Sequence, residues 1–400
     1  MNDKARWENL ALRMRSLALF RSLLAHTLPA RLLDLLEGLS LPVSQRVGLY
    51  AAFMEELYAQ GGDFGNVLKE LTESSATAAD YTRASGKSLS ESMERALLAE
   101  LAVLTDLSAI EPDALAAAVQ SPVPLPGFAS TRHDFAALYV KRLDTIRQHG
   151  YGDFARWHMF TLGEGPVLRP VKNADSQRLA DLYGYERERK KILVNTNALL
   201  ANLPANNILL YGDAGTGKSS TVKALANEYR AEGLRLVEVR KSQMYELPRL
   251  MDMLAENPLK FILFIDDLSF SSQEGDFAIL KAILEGNISA RPGNVVVYAT
   301  SNRRHMLREH HFARQGDELH LNDTLEEEAS LAARFGLTVV FSKPDKDLYA
   351  EITEKLAKKA GLQISPEELC AAAESYAIRV GGRSPRAAKQ FIDYLQAEML

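Results

Sequence analysis

The sequence predicts a mostly parallel α/β core, preceded by an all-α region and followed by a short helical segment. Three observations predict it. Residues 1 to about 160 repeat apolar side chains at three- and four-residue spacing, as in "ESMERALLAELAVLTDL" and "HDFAALYVKRLDTIRQHG", the period of amphipathic helices. Beyond them, short runs that are apolar at both parities ("NNILLYG", "LRLVEVR", "KFILFIDD", "NVVVYATS", "LTVVFSK") alternate with helix-like stretches. Strands of that kind are covered on both faces, as in parallel sheets flanked by helices. The final stretch, with "GGRSPRAAKQFI", returns to helical spacing.

Four hundred residues exceed what one core organises, and 46% hydrophobic residues are enough to fill two or three. The expected boundaries are 1–165 for the helical region, 166–342 for the α/β core and 343–400 for the helical end. At the start, Leu10, Met14, Leu17, Phe20 and Leu24 form one stripe, which suits core packing. Arg13, Arg15 and Arg21 interrupt that apolar stretch and no small-residue cleavage site follows, so neither a signal peptide nor a membrane-spanning helix is expected. The proline run Ser121–Phe128 breaks the helices with an internal loop, and Leu162–Asp175, with two glycines and two prolines, reads as a linker. Cys370 is the only cysteine, which excludes an intramolecular disulfide and a cysteine-rich zinc site; a small buried apolar role and a reducing, cytoplasmic setting are expected. A net charge of -5 gives no overall attraction for nucleic acid, although a local basic patch is compatible with it.

Chemistry enters with the first strand run. "ILLY" leads into Gly212, Asp213, Ala214, Gly215, Thr216, Gly217, Lys218, Ser219 and Ser220, and "STVKALANEY" continues as a helix, the context that makes a phosphate loop of the pattern. Glycines let several backbone N–H groups converge on a phosphate, and the helix N-terminus adds partial positive charge. Lys218 suits the outer phosphates of a nucleoside triphosphate, and the Ser219 hydroxyl suits Mg²⁺. "KFILFIDD" ends in Asp266 and Asp267 at a strand's C-terminal edge, where open sheets bind ligands. Asp266 is the expected metal acid and Asp267 the expected base for an attacking water, with Glu274 as the fallback base. "NVVVYATSN" ends in Asn302, which reaches a terminal phosphate if its strand lies between the phosphate loop and the acidic strand.

These motifs, together with "AARFG" around Arg334 and "GGRSPRAAKQFI", occur in the order found in the AAA+ ATPases, which the chain resembles from about residue 175 to 400. "DDLSF", "ATSNRRH" and "RFGL" resemble the bacterial branch known as domain of unknown function 815. The resemblance implies ATP as nucleotide and Mg²⁺ as metal, Asn302 as sensor of the γ-phosphate, and Arg334 as a finger reaching a neighbouring subunit's site in a homo-oligomer. It also implies a lid arginine, Arg386 or the weaker choice Arg383, on the nucleotide, and Gly184 and Tyr185 cupping the adenine. One departure stands out: most AAA+ proteins follow the metal aspartate with glutamate, and Asp267 is shorter, which implies slow hydrolysis.

The favoured function is an ATPase acting on, or switching with, a protein partner docked to the helical N-terminal region. A DNA-associated factor of initiator or clamp-loader type is the alternative, and a small-molecule kinase a weaker one, since a kinase needs no Asn302, Arg334 and Arg386 set. GTPases and transporter ATPases are excluded by the absence of NKxD and LSGGQ motifs. Arg304, Arg308 and Arg314 suit salt bridges as well as a finger does. His305, His310, His311 and His320 crowd one stretch without the spacing of a metal site.

Overall fold

The computed structural model describes residues 3–268, 292–302 and 334–398. Glu274, the arginines Arg304, Arg308 and Arg314, and the four histidines of 305–320 lie outside the described residues. The chain forms two compact units, Met1–Arg156 and Trp157–Leu400. Among the described residues no helix is long and apolar enough to cross a membrane.

The first unit is helical, as its spacing predicts: α1 (Asp3–Arg15), α2 (Thr27–Glu37), α3 (Val43–Ala59), α4 (Phe64–Glu73), α5 (Ala78–Ala84), α6 (Glu91–Ser108), α7 (Pro112–Val119), α8 (Phe135–Asp144) and the short α9 (Ile146–His149) and α10 (Asp153–Arg156). The N-terminal stripe is core, with Leu10, Met14, Leu17 and Phe20 buried. Helix α1 stops before the stripe ends, and the turn after it is held by one carboxylate. Buried Glu100 of α6 accepts the backbone N–H groups of Ala18 (2.9 Å), Leu19 (3.2 Å) and Phe20 (3.0 Å). The proline run is a loop, anchored where Tyr50 Oη donates to the Pro126 carbonyl at 2.7 Å.

A largely buried guanidinium ties α8 to the end of α4. Arg142 donates to the carbonyls of Thr72, Glu73 and Ser75 at 2.6–3.0 Å and lies 3.3 Å from the carboxylate of fully buried Asp80. Removing one partner of such a pair strands the other's charge, and Arg142→Met is expected to destabilise this unit by about 3–5 kcal/mol. Urea unfolding followed through Trp7 in a Trp157→Phe background measures it; an unchanged midpoint and slope would refute the assignment.

The second unit holds a sheet whose strands are β1 (Met159–Leu162), β2 (Leu168–Pro170), β3 (Ile208–Gly212), β4 (Leu234–Glu238), β5 (Lys260–Ile265), β6 (Val295–Asn302) and β7 (Leu337–Phe341). Their order is β2-β1-β4-β5-β6-β3-β7, and every pairing except β1 with β2 is parallel. Strands β3 to β6 are buried at both parities, the pattern their sequences predict. β7 differs, because it is the last strand in the order and Thr338 and Val340 are exposed. The glycine- and proline-rich stretch Leu162–Asp175, read as a linker, carries β2, whose hairpin with β1 extends the sheet. Helices α11 (Glu186–Leu200), α12 (Lys218–Glu228) and α13 (Leu247–Ala255) accompany the strands. The chain's last described stretch forms α14 (Lys346–Lys359), α15 (Pro366–Arg379) and α16 (Pro385–Glu398). Tyr349, Ile352, Leu369, Phe391 and Ile392 of these three helices share one apolar core with Ile208, Val222, Phe264 and Val339. Cys370, on α15, is half-buried.

Candidate functional site

Strand β3 lies between β6 and β7, and β6 lies between β3 and β5. The register aligns Gly212 with Asn302 and with Phe341, and Ile265 with Ala299. The phosphate-loop strand, the polar strand and the acidic strand therefore end side by side at the C-terminal edge of the sheet, the condition set for Asn302.

Gly212 leaves β3 with φ 139°, and a Cβ there would stand 2.1 Å from the Phe341 carbonyl oxygen, so the strand-to-loop turn admits only glycine. Gly217, at φ 92°, caps α12 and hands the chain into the helix. Between them Thr216 Oγ1 donates to the Asp213 carbonyl at 2.8 Å, and Asp213 Oδ2 accepts the Lys343 N–H at 3.1 Å. Ala214 is exposed on the loop, and Ser220 lies half-buried in the first turn of α12.

Lys218, Asp266, Asp267 and Asn302 come together in one hydrogen-bonded network. Buried Lys218 Nζ donates to the carbonyls of Gly212 (2.9 Å) and Asp213 (2.7 Å) and to Asn302 Oδ1 (3.0 Å). Asn302 Nδ2 in turn donates to Asp267 Oδ1 at 2.6 Å. Ser219 Oγ donates to Asp266 Oδ1 at 2.6 Å. Burial draws the Lys218 pKa down to about 8, against the upward pull of Asp213, Asp266 and Asp267. Asp267 is exposed and takes φ 54°, a left-handed conformation that aspartate tolerates better than most residues.

The donor set suits a small hard cation. Ser219 and Asp266 offer a hydroxyl and a carboxylate, and Mg²⁺ takes one or two protein oxygens with the rest from phosphates and water. Several groups that fit a triphosphate meet here: an eleven-residue helix whose N-terminus faces the loop, a buried ammonium, and glycines where the backbone must curl.

The lid meets the loop directly. Arg386 N–H donates to the Gly215 carbonyl at 3.2 Å, and Ser384 and Arg386 wall the side on which Gly215 carries no Cβ. A cavity of about 190 Å³ lies between Asp213–Gly215 and the start of α16, lined also by Lys343, Gly382 and Arg383. Of the two candidate lid arginines, Arg383 is held by Glu374 in a bidentate pair at 2.7 and 2.9 Å, whereas the Arg386 side chain is exposed beside the loop. Tyr185 caps α11 at φ 58°, donates through Oη to the Ser342 carbonyl at 2.6 Å and packs its ring 5.3 Å from that of Phe341. Gly184 beside it faces Leu348 and Ile352 of α14, so this pair lies between the lid and the strand that adjoins the phosphate loop.

Arg334 stands apart. It precedes buried Phe335 and β7, whose Leu337 pairs with Ile208 while Phe341 pairs with Gly212. It therefore enters β7 at the end opposite the phosphate loop, and Leu337 to Phe341 alone spans four strand steps, about 13 Å.

Two residues at the site escaped sequence reasoning. Thr300 Oγ1 donates to Asp266 Oδ1 and accepts the Asp267 N–H. Its signal was the two-residue spacing to Asn302, which places both on one face of β6. Lys343 had no signal beyond following β7.

The strand order, the phosphate loop and the C-terminal helices define an AAA+ P-loop fold. Residues 153–399 match the family described as "Protein of unknown function (DUF815)". The chain belongs to that family. It is also similar to the 26S proteasome regulatory subunit 4 homolog of Encephalitozoon cuniculi (strain GB-M1), 32% identical over 123 residues, covering 26% of this chain and 28% of that protein. The chain thus spans less than a third of that curated relative's length. Among solved structures, the Holliday junction branch migration motor RuvB of Thermotoga maritima matches with a TM-score of 0.37 and 18% identity, over 55% of this chain and 64% of its own. A second Thermotoga maritima RuvB structure, a variant, matches with a TM-score of 0.38 and 17% identity.

Proposed function

We propose that this chain is a cytoplasmic ATPase that binds and hydrolyses ATP with Mg²⁺ between subunits of a homo-oligomer. The observation that carries the reading is the network joining Lys218, Asn302 and Asp267 beside Asp266 and Ser219 at one sheet edge. In this reading the loop from Gly212 to Ser220 cradles the phosphates and Lys218 neutralises the outer ones. Ser219 and Asp266 hold Mg²⁺, which when bound supplies charge neutralisation across the phosphates. Asp267 takes the proton of the attacking water, Asn302 reports the terminal phosphate to both, and Gly184 and Tyr185 flank the base. Arg386 is the lid arginine, a choice supported by the pairing of Arg383 with Glu374.

Arg334 acts in the neighbouring subunit's site. Its place ahead of β7, at the end of that strand opposite its own phosphate loop, supports that role. Residues 166–342, joined by β1 (Met159–Leu162) of the same sheet, form the nucleotide-binding part and 343–400 the lid, while the helices of Met1–Arg156, most of the 1–165 region, dock the protein partner on which the ATPase acts or with which it switches.

Mixing subunits tests the assembly. Arg334→Ala and Asp267→Asn proteins are each expected to be nearly inactive, yet an equimolar mixture should release phosphate. About a quarter of the interfaces then join an intact Asp267 to an intact Arg334, if subunits assort at random. Lys218→Ala mixed with Asp267→Asn is the control that cannot complement. An inactive mixture, with sizing showing that the subunits have exchanged, would remove Arg334 from the site and favour a single-subunit enzyme such as a kinase. Turnover that rises with DNA and falls steeply with salt would favour a DNA-associated role instead.

A further inference from the structure

The acidic strand ends in two aspartates, and the shorter base has to be aimed by something other than its own length. The β5–β6 register sets Thr300 one step beyond the pair Ile265 and Ala299, directly across from the acidic turn. Its hydroxyl has one proton, which it gives to Asp266 Oδ1 at 2.6 Å, and with a lone pair it accepts the Asp267 N–H at 2.8 Å. The Thr300 carbonyl then accepts the Leu268 N–H at 2.7 Å. Thr300 itself is buried, and the bonds it makes are part-buried. They secure a turn in which Asp267 holds the left-handed φ of 54°. One side chain thus fixes the orientation of the metal-holding carboxylate and the backbone that presents the base. Ser301, the next residue, shares none of this; its Oγ is buried on the other face of the strand, with no hydrogen-bond partner among the described residues.

We propose that Thr300 is a positioning residue for this site, setting the Asp266 carboxylate for Mg²⁺ and the Asp267 backbone for general-base work in place of the longer glutamate. It acts through the two aspartates. The inference rests on the ATPase reading above, and the experiment separates the two.

The test compares the full chain with Thr300→Val, which keeps the shape and removes the hydroxyl, and Thr300→Ser, which keeps the hydroxyl. Thr300→Ala serves the same purpose if valine disturbs folding. Binding of a fluorescent ATP analogue without Mg²⁺ should be equal in all. The Mg²⁺ concentration needed for half-maximal tightening should rise ~10-fold in the valine variant, and phosphate release at saturating Mg·ATP should fall ~10-fold or more, the usual scale for losing the group that orients a metal ligand. Serine should restore both. In the nucleotide-free protein, hydrogen exchange at the Asp267 amide should quicken in the valine variant only. If the parent binds Mg·ATP and hydrolyses it while valine and parent coincide in Mg²⁺ dependence and rate, Thr300 does not position the site. Equal losses in valine and serine would also overturn the proposal. If the parent itself fails to bind Mg·ATP, the ATPase reading falls and takes this role with it.

Discussion

Asp267→Asn protein is expected to bind Mg·ATP as the parent does and to release phosphate at least ~100-fold more slowly, the scale of losing a general base. The structure makes asparagine an unusually clean replacement. Asparagine also tolerates the left-handed backbone at this position, and its amide oxygen can still accept the Asn302 Nδ2 bond now made to Asp267 Oδ1. What disappears is basicity. Nucleotide affinity by calorimetry and steady-state phosphate release check the two halves separately. Near-parental turnover would place the base on another residue.

Lys218→Ala should lose the stabilisation that Mg·ATP gives the parent, about 2.7 kcal/mol at a ligand concentration one hundred times Kd. In the nucleotide-free protein its three acceptors are two backbone carbonyls and Asn302. Burial already draws the ammonium's pKa down to about 8, so part of what those bonds contribute is offset by desolvation. The melting temperature without nucleotide should therefore move little, and the difference should appear only when Mg·ATP is added. Equal thermal shifts in mutant and parent would remove the phosphate-loop assignment.

Much of the fold was legible because its signals are local. The α-helical period of residues 1–160, the doubly apolar strands and the glycine pattern at Gly212–Gly217 each lie within one window of sequence. The convergence of Asn302 with Lys218 was legible only conditionally, since it depends on β6 inserting between β3 and β5, a crossover that no local pattern encodes. Thr300 was missed for a related reason. A threonine in a strand reads as a β-branched filler, and its hydroxyl gains a role only when another strand brings two aspartates to it. The hairpin of β1 and β2 was hidden by glycines and prolines that suit a linker equally well. The preference for Arg386 over Arg383 was legible only as a resemblance, and its physical ground, Glu374 holding Arg383, is a tertiary contact.

The carboxylate of Glu100 also bears on the order in which the chain is made and secured. Its three backbone partners, Ala18, Leu19 and Phe20, precede it by 82, 81 and 80 residues. A contact that distant closes a long loop, and such loops close late, after nearer pairings have shortened the effective separation. At a synthesis rate of about 5–20 residues per second, those amides wait about 4–16 s for their acceptor to be made. The turn at Ala18–Phe20 is therefore made well before the side chain that fastens it.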